Sequence, residues 1–379
     1  MNLYDVYSLY DITPVRGAGS KVYDGRGREY LDFYGGHAVI SIGHAHKHYV
    51  DKITSQVGKL GFYSNSVVNP LQQELADKLE ELSGVEGYDL FLINSGAEAN
   101  DNALKLASFY NKRKQVLALS NSFHGRTSAA INVTHTGRKH QAPINKGIRA
   151  IYHDITNIES LIEEIQKEKS AAVIIEAIQG VGGLDQMDPE GLKAIRTACD
   201  ETDTILILDE VQAGYGRSGD FFAFQNSGIQ PDIITTAKGM GNGFPIGGVL
   251  INGTKIPAVK SQLGTTYGGN HLACAAGIAV LDVLKDEDLM TNATEKGTYL
   301  QQSLAIMKGV KNVKGRGLML GMEFDFPVAE LRKSLVFDFQ LFTGSAANKN
   351  LLRLLPPLMI SQEDCDTFLD KLEAGLKRV

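Results

Sequence analysis

The stretch TTAKGMGNGFPIGG, residues 235–248, places a lysine at the end of a β-branched run, with glycines and a proline close behind it. Lysine ordinarily stays on a wet surface, because an ammonium taken out of water without a partner is strongly destabilising. Lys238 therefore has either an exposed position or a chemical reason to be there. The glycines after it let backbone or a ligand approach closely.

Short apolar runs and amphipathic runs alternate around this stretch. VLALSN (116–121), AAVIIEAI (171–178), TILILDE (204–210) and DIITTA (232–237) are short, β-branched and largely apolar, as strands covered on both faces are. NIESLIEEIQKEK (157–169) and PEGLKAIRTACDE (189–201) keep their apolar residues on one helical face. The alternation predicts an α/β fold with a large, mostly parallel sheet. In the last hundred residues two long amphipathic segments flank VKGRGLMLGMEF and LLRLLPPL, a pattern that predicts a smaller α+β domain with its own sheet. Ser361 followed by Asp364 reads as the cap of the last helix.

Composition narrows the function classes. The chain has 379 residues, 43% of them hydrophobic, enough for two or three domains with a substantial core. A net charge of −6 offers no basic footprint for nucleic acid, and no run of about 18 apolar residues suggests a membrane span. The opening MNLYDVYSLYDITPVRG lacks the basic start and apolar block of a secretory signal. Cys199, Cys274 and Cys365 lie far apart, so the expected location is a reducing cytoplasm and the expected partner a small molecule.

In an open parallel sheet the ligand crevice lies beyond the carboxyl ends of the strands, where Ser95, Asp209 and Lys238 fall. After DLFLIN, the residues Ser95, Gly96 and Ala97 precede a strong helix former, so free N–H groups there suit a phosphate. Asp209 follows four apolar residues and is expected to be half-buried and in need of a cation. Each feature alone has a plainer reading: an ordinary N-cap, a structural acid, a surface lysine. Together they are what pyridoxal 5'-phosphate requires, namely N–H donors for its phosphate, an anion for its ring nitrogen and an amine for its aldehyde. GMGNG does not match G-x-G-x-x-G, and G-x-x-x-x-G-K-[ST] is absent. His44, His46 and His48 alternate without a second ligand group, so no metal is expected there.

YLDFYGGHAVISIGHAH, NSGAEAND, SFHGRT, EAIQGVGG, LILDEVQAGYGRSG, PDIITTAKGMGNGFPIGG, GTTYGGNHLACAAG and LLRLLPPL occur in this order. In this the chain resembles the class III, ornithine aminotransferase-like aminotransferases, most closely those acting on acetylornithine or succinylornithine. The resemblance implies the type I fold of pyridoxal-phosphate enzymes and a homodimer with sites at the subunit interface. It also implies residues 1–48 as an N-terminal segment contributing to the small domain, 49–270 as the large cofactor domain and 271–379 as the C-terminal small domain.

By the same resemblance Lys238 is the Schiff-base lysine and proton shuttle, and Asp209 pairs with the pyridinium nitrogen. Gln212 approaches the phenolic oxygen, Phe123 stacks on the ring, and Gly96 and Ala97 donate to the phosphate. Thr266 adds a hydroxyl from the neighbouring subunit, and Thr265 touches substrate. Arg126 and Arg353 hold substrate carboxylates, and Tyr10 contacts substrate. The implied reaction moves the terminal amine of an N-acylated ornithine to 2-oxoglutarate, in arginine biosynthesis.

Two positions depart from the family pattern E-P-I-Q-G-E-G-G: Ala177 replaces its proline and Val181 its second glutamate. That glutamate masks the arginine matching Arg353 in ornithine-type relatives, so valine favours an acylated donor over free ornithine. His37 stands where relatives often carry an apolar residue, and either recognises an acyl carboxylate or satisfies a backbone group. The alternatives are N-succinylornithine or ornithine as donor, another pyridoxal-phosphate chemistry on the same lysine, or a sensor that only binds the cofactor.

Overall fold

A computed structural model describes residues 1–378. Its first sheet is built from β1 (Pro14–Ala18), β2 (Lys21–Asp24) and β3 (Glu29–Asp32), which form an antiparallel meander near the N-terminus.

The central sheet comprises β4 (Tyr88–Ile93), β5 (Gln115–Leu119), β6 (Arg149–His153), β7 (Ser170–Ile175), β8 (Ile205–Asp209), β9 (Ile233–Thr236) and β10 (Gly247–Asn252). Their order is β4-β10-β9-β8-β7-β5-β6, with only β10 antiparallel to its neighbours. The four expected strands are all present, a residue or more shorter than their apolar runs. Every residue of β5, β7, β8 and β9 is buried, because helices cover both faces.

The main helices are α1 (Lys47–Lys59), α2 (Pro70–Ser83), α3 (Gly96–Asn111), α4 (Ile158–Ile165), α5 (Pro189–Thr202), α6 (His271–Asp286), α7 (Leu289–Ala305), α8 (Ala329–Phe337) and α9 (Gln362–Leu376). Their starts follow local chemistry. Asp188 caps α5 ahead of Pro189, which donates no N–H and so loses nothing in the first turn. Ser361 and Asp364 form the reciprocal capping box of α9.

A second small sheet contains β11 (Asn312–Arg316), β12 (Met319–Glu323), β14 (Gly344–Ser345) and β15 (Leu351–Leu354), in the order β11-β12-β15-β14. Between them in the chain, β13 (Leu341–Phe342) pairs in parallel with β3 and so ties the C-terminal region to the N-terminal meander. Phe33 and Phe368 stack at 4.4 Å beside this junction.

Distant segments of the chain are also joined by a buried cation. Arg217 is fully buried and donates to the carbonyls of Leu318, Pro356 and Ile40, three segments distant in sequence. Burial, only partly offset by the Asp32 carboxylate, pushes its guanidinium down to about 9. Nearby, α7 crosses the turn before β12 so closely that a β-carbon on Gly297 would sit 2.2 Å from the Gly317 carbonyl. Gly297→Ala should therefore destabilise the protein by about 1–3 kcal/mol, the usual range for overpacking. Urea unfolding should show a lower midpoint with an unchanged slope; an unchanged midpoint would contradict this contact.

Candidate active site

The site is set by the register between β8 and β9. Asp209, the last residue of β8, lies opposite Thr235, and Lys238 follows three residues later, just past the end of β9. The two side chains line one cavity of about 400 Å³, with Ser95, Gly96, Ala97, Phe123, Arg126, Val181 and Gln212 also in its wall.

One wall of this cavity is the electropositive start of α3. The Ser95 hydroxyl accepts from the Glu98 N–H, and the Glu98 carboxylate accepts from the Asn94 N–H at 2.8 Å. Those bonds satisfy the helix start except at Gly96 and Ala97, whose N–H groups find no acceptor among the described residues. Unsatisfied donors at the positive end of a 16-residue helix suit a phosphate.

Asp209 is more enclosed than the half-burial expected from sequence, at 4% exposed. Its Oδ2 accepts from His124 Nδ1 at 2.7 Å and from Asn100 Nδ2 at 2.8 Å, while Oδ1 accepts from the Val211 N–H at 3.1 Å. The Thr235 hydroxyl donates to Asn100 Oδ1 at 2.7 Å, closing the network back onto β9. A carboxylate bound this way is held in one orientation at the cavity wall.

Lys238 has φ +44, in the left-handed region that non-glycine residues avoid, so its side chain is aimed at the expense of backbone strain. Burial holds its ε-amine below the usual lysine range, an effect partly offset by Asp209 and Glu176 and reinforced by Arg353. An amine with lowered proton affinity is a better nucleophile near neutral pH.

Arg353, on β15, is 3% exposed. Its Nε donates to the Ser345 carbonyl at 2.6 Å, and one Nη donates to the Gly180 carbonyl at 2.7 Å and to Gln212 Oε1 at 3.1 Å. All three acceptors are neutral, and burial lowers this guanidinium to about 10. Gln212 in turn donates to the His37 carbonyl at 3.1 Å, so both ends of its amide bond to the protein. A β-carbon on Gly180 would lie 2.0 Å from Gln212 Oε1, so only glycine there admits this amide.

His37 lies in a turn in which Gly35, Gly36, His37 and Ala38 all have φ between +53 and +69. Left-handed His37 and Ala38 each cost on the order of 1–2 kcal/mol, offset by Asp32 Oδ1 accepting from the N–H groups of Tyr34 and Gly35. Burial, then the charges of Arg353 and Lys238, lower the His37 imidazole to about 4.

Other expected residues lie further out. Arg126 is exposed at the cavity wall. Tyr10 packs edge-on against Phe337 at 5.7 Å, beside α8. Thr265 receives the Gly268 N–H at 3.1 Å and Thr266 is exposed; neither lines the Lys238 cavity of its own chain. His44, His46 and His48 face three different carboxylates, Asp32, Glu287 and Asp282.

The sequence reading missed His124, Asn100 and Glu176. His124 lies between two selected residues in SFHGRT, and Glu176 ends an apolar strand much as Asp209 does, so the same signal pointed to it. Glu176 accepts from the Phe123 N–H at 2.8 Å and the Gly180 N–H at 3.0 Å, and burial pushes its carboxyl up. It thereby fixes both the aromatic wall and the loop that holds Arg353.

The family described as aminotransferase class-III matches residues 5–376. The chain belongs to the class III aminotransferases. This aminotransferase is 39% identical to the acetylornithine aminotransferase of Caldanaerobacter subterraneus subsp. tengcongensis, over 100% of this chain and 98% of the relative. Among solved structures, the ornithine aminotransferase of Toxoplasma gondii superposes with a TM-score of 0.90 at 27% identity, covering 99% of this chain and 92% of that one. The acetylornithine aminotransferase of Elizabethkingia anophelis gives 0.85 at 27% identity, covering 98% and 95%. The fold is thus the α/β fold of pyridoxal-phosphate-dependent aminotransferases.

Pyridoxal phosphate fits the cavity by its chemistry: free N–H groups, a fixed carboxylate and an amine of lowered proton affinity all line it. Borohydride treatment of the holoenzyme followed by peptide mass spectrometry should leave the cofactor's mass on the Lys238 peptide. Recovery on any other lysine would overturn the site.

Proposed function

We propose that this aminotransferase moves the terminal amine of an N-acylated ornithine, acetylornithine first, to 2-oxoglutarate, yielding the semialdehyde and glutamate in arginine biosynthesis. The observation that carries this reading is a pair of arginines with no carboxylate partner among the described residues: Arg126 in the wall of the Lys238 cavity, and Arg353 behind that wall, bonded to the lining residue Gln212. Two such guanidiniums suit a dicarboxylate, whose ends each want a planar fork of donors. The acetylornithine aminotransferases among the relatives support the donor.

Bound pyridoxal phosphate supplies a carbon that bonds to amines and a ring that withdraws electrons from it. Each residue of the chain then has a defined task. The N–H groups of Gly96 and Ala97 hold the phosphate, Asp209 holds the ring nitrogen, Gln212 faces the phenolic oxygen and Phe123 shields the ring face from water. With the cofactor bound, the ε-amine of Lys238 would carry a proton between the substrate carbon that bears the departing amine and the cofactor carbon that receives that amine. Arg126 holds the donor's distant carboxylate, then the far carboxylate of 2-oxoglutarate, whose α-carboxylate goes to Arg353. Tyr10 and Thr265 border the substrate.

Val181 favours an acylated donor. It lines the cavity where an acidic residue would offset Arg353, so the pocket keeps its positive charge and discourages the second ammonium of free ornithine. N-succinylornithine remains the alternative donor.

We further propose a cytoplasmic homodimer, with residues 1–48 contributing to a small domain, 49–270 forming the cofactor domain and 271–379 the rest of the small domain. Val57, Leu60, Phe62, Tyr63, Val67, Val68 and Tyr267 are all exposed, a larger apolar set than an isolated surface tends to show. Thr266 is adjacent to Tyr267 in this set, which supports its delivery to the phosphate of the partner's site.

Side-by-side kinetics with N-acetylornithine, N-succinylornithine and ornithine should give the highest kcat/KM for acetylornithine, and Lys238→Ala should abolish turnover with the fold intact. Undiminished turnover by that variant would refute the mechanism. Val181→Glu should place a carboxylate against Arg353 and lower kcat/KM for 2-oxoglutarate about tenfold; an unchanged value would show that position 181 does not govern Arg353.

A further inference from the structure

A second guanidinium stands beside Arg353. Arg332, on α8, donates from Nη2 to the Thr343 carbonyl at 3.1 Å, while Arg353 donates to the Ser345 carbonyl at 2.6 Å. The two arginines thus hold the carbonyls on either side of Gly344, one from each neighbouring residue. The Tyr34 ring packs on that glycine, where a β-carbon would meet the ring at 3.0 Å. The Tyr34 hydroxyl faces the nitrogen edge of His37, 2.5 Å from Nδ1 and 2.9 Å from Nε2.

No carboxylate among the described residues pairs with Arg332. Its Nε is buried without an acceptor, and so is the hydroxyl of Thr343, whose carbonyl it holds. Its charge reaches the site: after burial and the nearer cations, Arg332 lowers the proton affinity of His37, and it acts in the same sense on Tyr34 and Arg353. Of the groups that offset burial at Arg353, Tyr34 is a phenol, and the one carboxylate, Glu176, is already engaged by the N–H groups of Phe123 and Gly180. Two guanidiniums bound to one short segment, Arg353 buried and Arg332 half-buried, repel each other, and an incoming anion relieves that repulsion.

The substrates differ in what they bring to this end of the pocket. 2-Oxoglutarate and glutamate present an α-carboxylate to Arg353, whereas the aminoalkyl end of an acylornithine presents none. We propose that Arg332 is a specificity-determining residue for the dicarboxylate pair, its unpaired charge strengthening anion capture at Arg353 in one half-reaction and not in the other. The inference rests on the reading that glutamate and 2-oxoglutarate are the second substrate pair.

The test uses full-length holoenzyme and single-turnover absorbance of the bound cofactor, with glutamate or acetylornithine as donor and 2-oxoglutarate as acceptor. Arg332→Gln should weaken apparent binding of glutamate and 2-oxoglutarate about tenfold, with maximal rates within about twofold and acetylornithine unaffected. Arg332→Lys should restore most of the loss. Raising ionic strength should depress the 2-oxoglutarate rate constant less steeply in the glutamine variant than in the wild type, since part of the attracting field is gone. Equal losses toward both donors, or no loss toward either, would overturn the proposal, as would failure of the lysine variant to recover while its circular dichroism matches the wild type. A wild-type enzyme that reacts with acetylornithine but not with glutamate would refute the function reading and this inference together. A wild type that reacts with both, beside a glutamine variant that behaves identically, would refute the inference alone.

Discussion

The hydrogen-bonded register of β8 against β9 is the constraint from which the site follows. With Asp209 opposite Thr235, the acid and the amine three residues beyond Thr235, just past the end of β9, emerge at the same edge of the sheet. Side chains alternate between faces along a strand, so a one-residue slip of either strand would turn its own residues to the other face and break the alignment. The Thr235–Asn100–Asp209 hydrogen bonds reinforce this register with side chains and connect it to α3, whose start offers the free N–H groups.

Around that edge the chain concentrates charge that it balances only in part. Asp209 is enclosed by His124 and Asn100, and Glu176 is held by two backbone N–H groups, whereas Arg353 has only carbonyl acceptors. Buried charge without a full partner is unfavourable for folding and useful for binding, because a ligand of opposite sign completes it. The left-handed turn at 35–38 belongs to the same pattern: it is strained, anchored by Asp32, and tied through Gln212 to Arg353. Strain and unpaired charge thus gather at the mouth of one cavity while the strands behind it are apolar and fully covered.

The parts of this arrangement legible in the sequence are those set by local chemistry. A run such as ILILD declares a covered strand with an acid at its end, NSGAEAN declares a helix start with free N–H groups, and Lys238 betrays itself by following a β-branched run. His124 and Glu176 escaped because each sits in a motif read for another residue. Arg332 escaped because a single arginine on an amphipathic helix looks like a solvated one. The depth of Asp209 was underestimated because its enclosure comes from 85 and 109 residues away in sequence.

What the amino-acid order determined alone is the type of each element, the chemistry at each strand end and the membership of a family of enzymes, since these depend on neighbours a few residues apart. What only the tertiary structure decided is which of those groups meet: that Gln212 bridges Arg353 and His37, that Glu176 supports both Phe123 and Gly180, and that Arg332 and Arg353 bond the carbonyls on either side of Gly344. The reason is physical. Hydrogen bonds between side chains and backbone of distant segments leave no periodic trace in the sequence, and they form only once the packing of the two lobes has brought those segments within about 3 Å of one another.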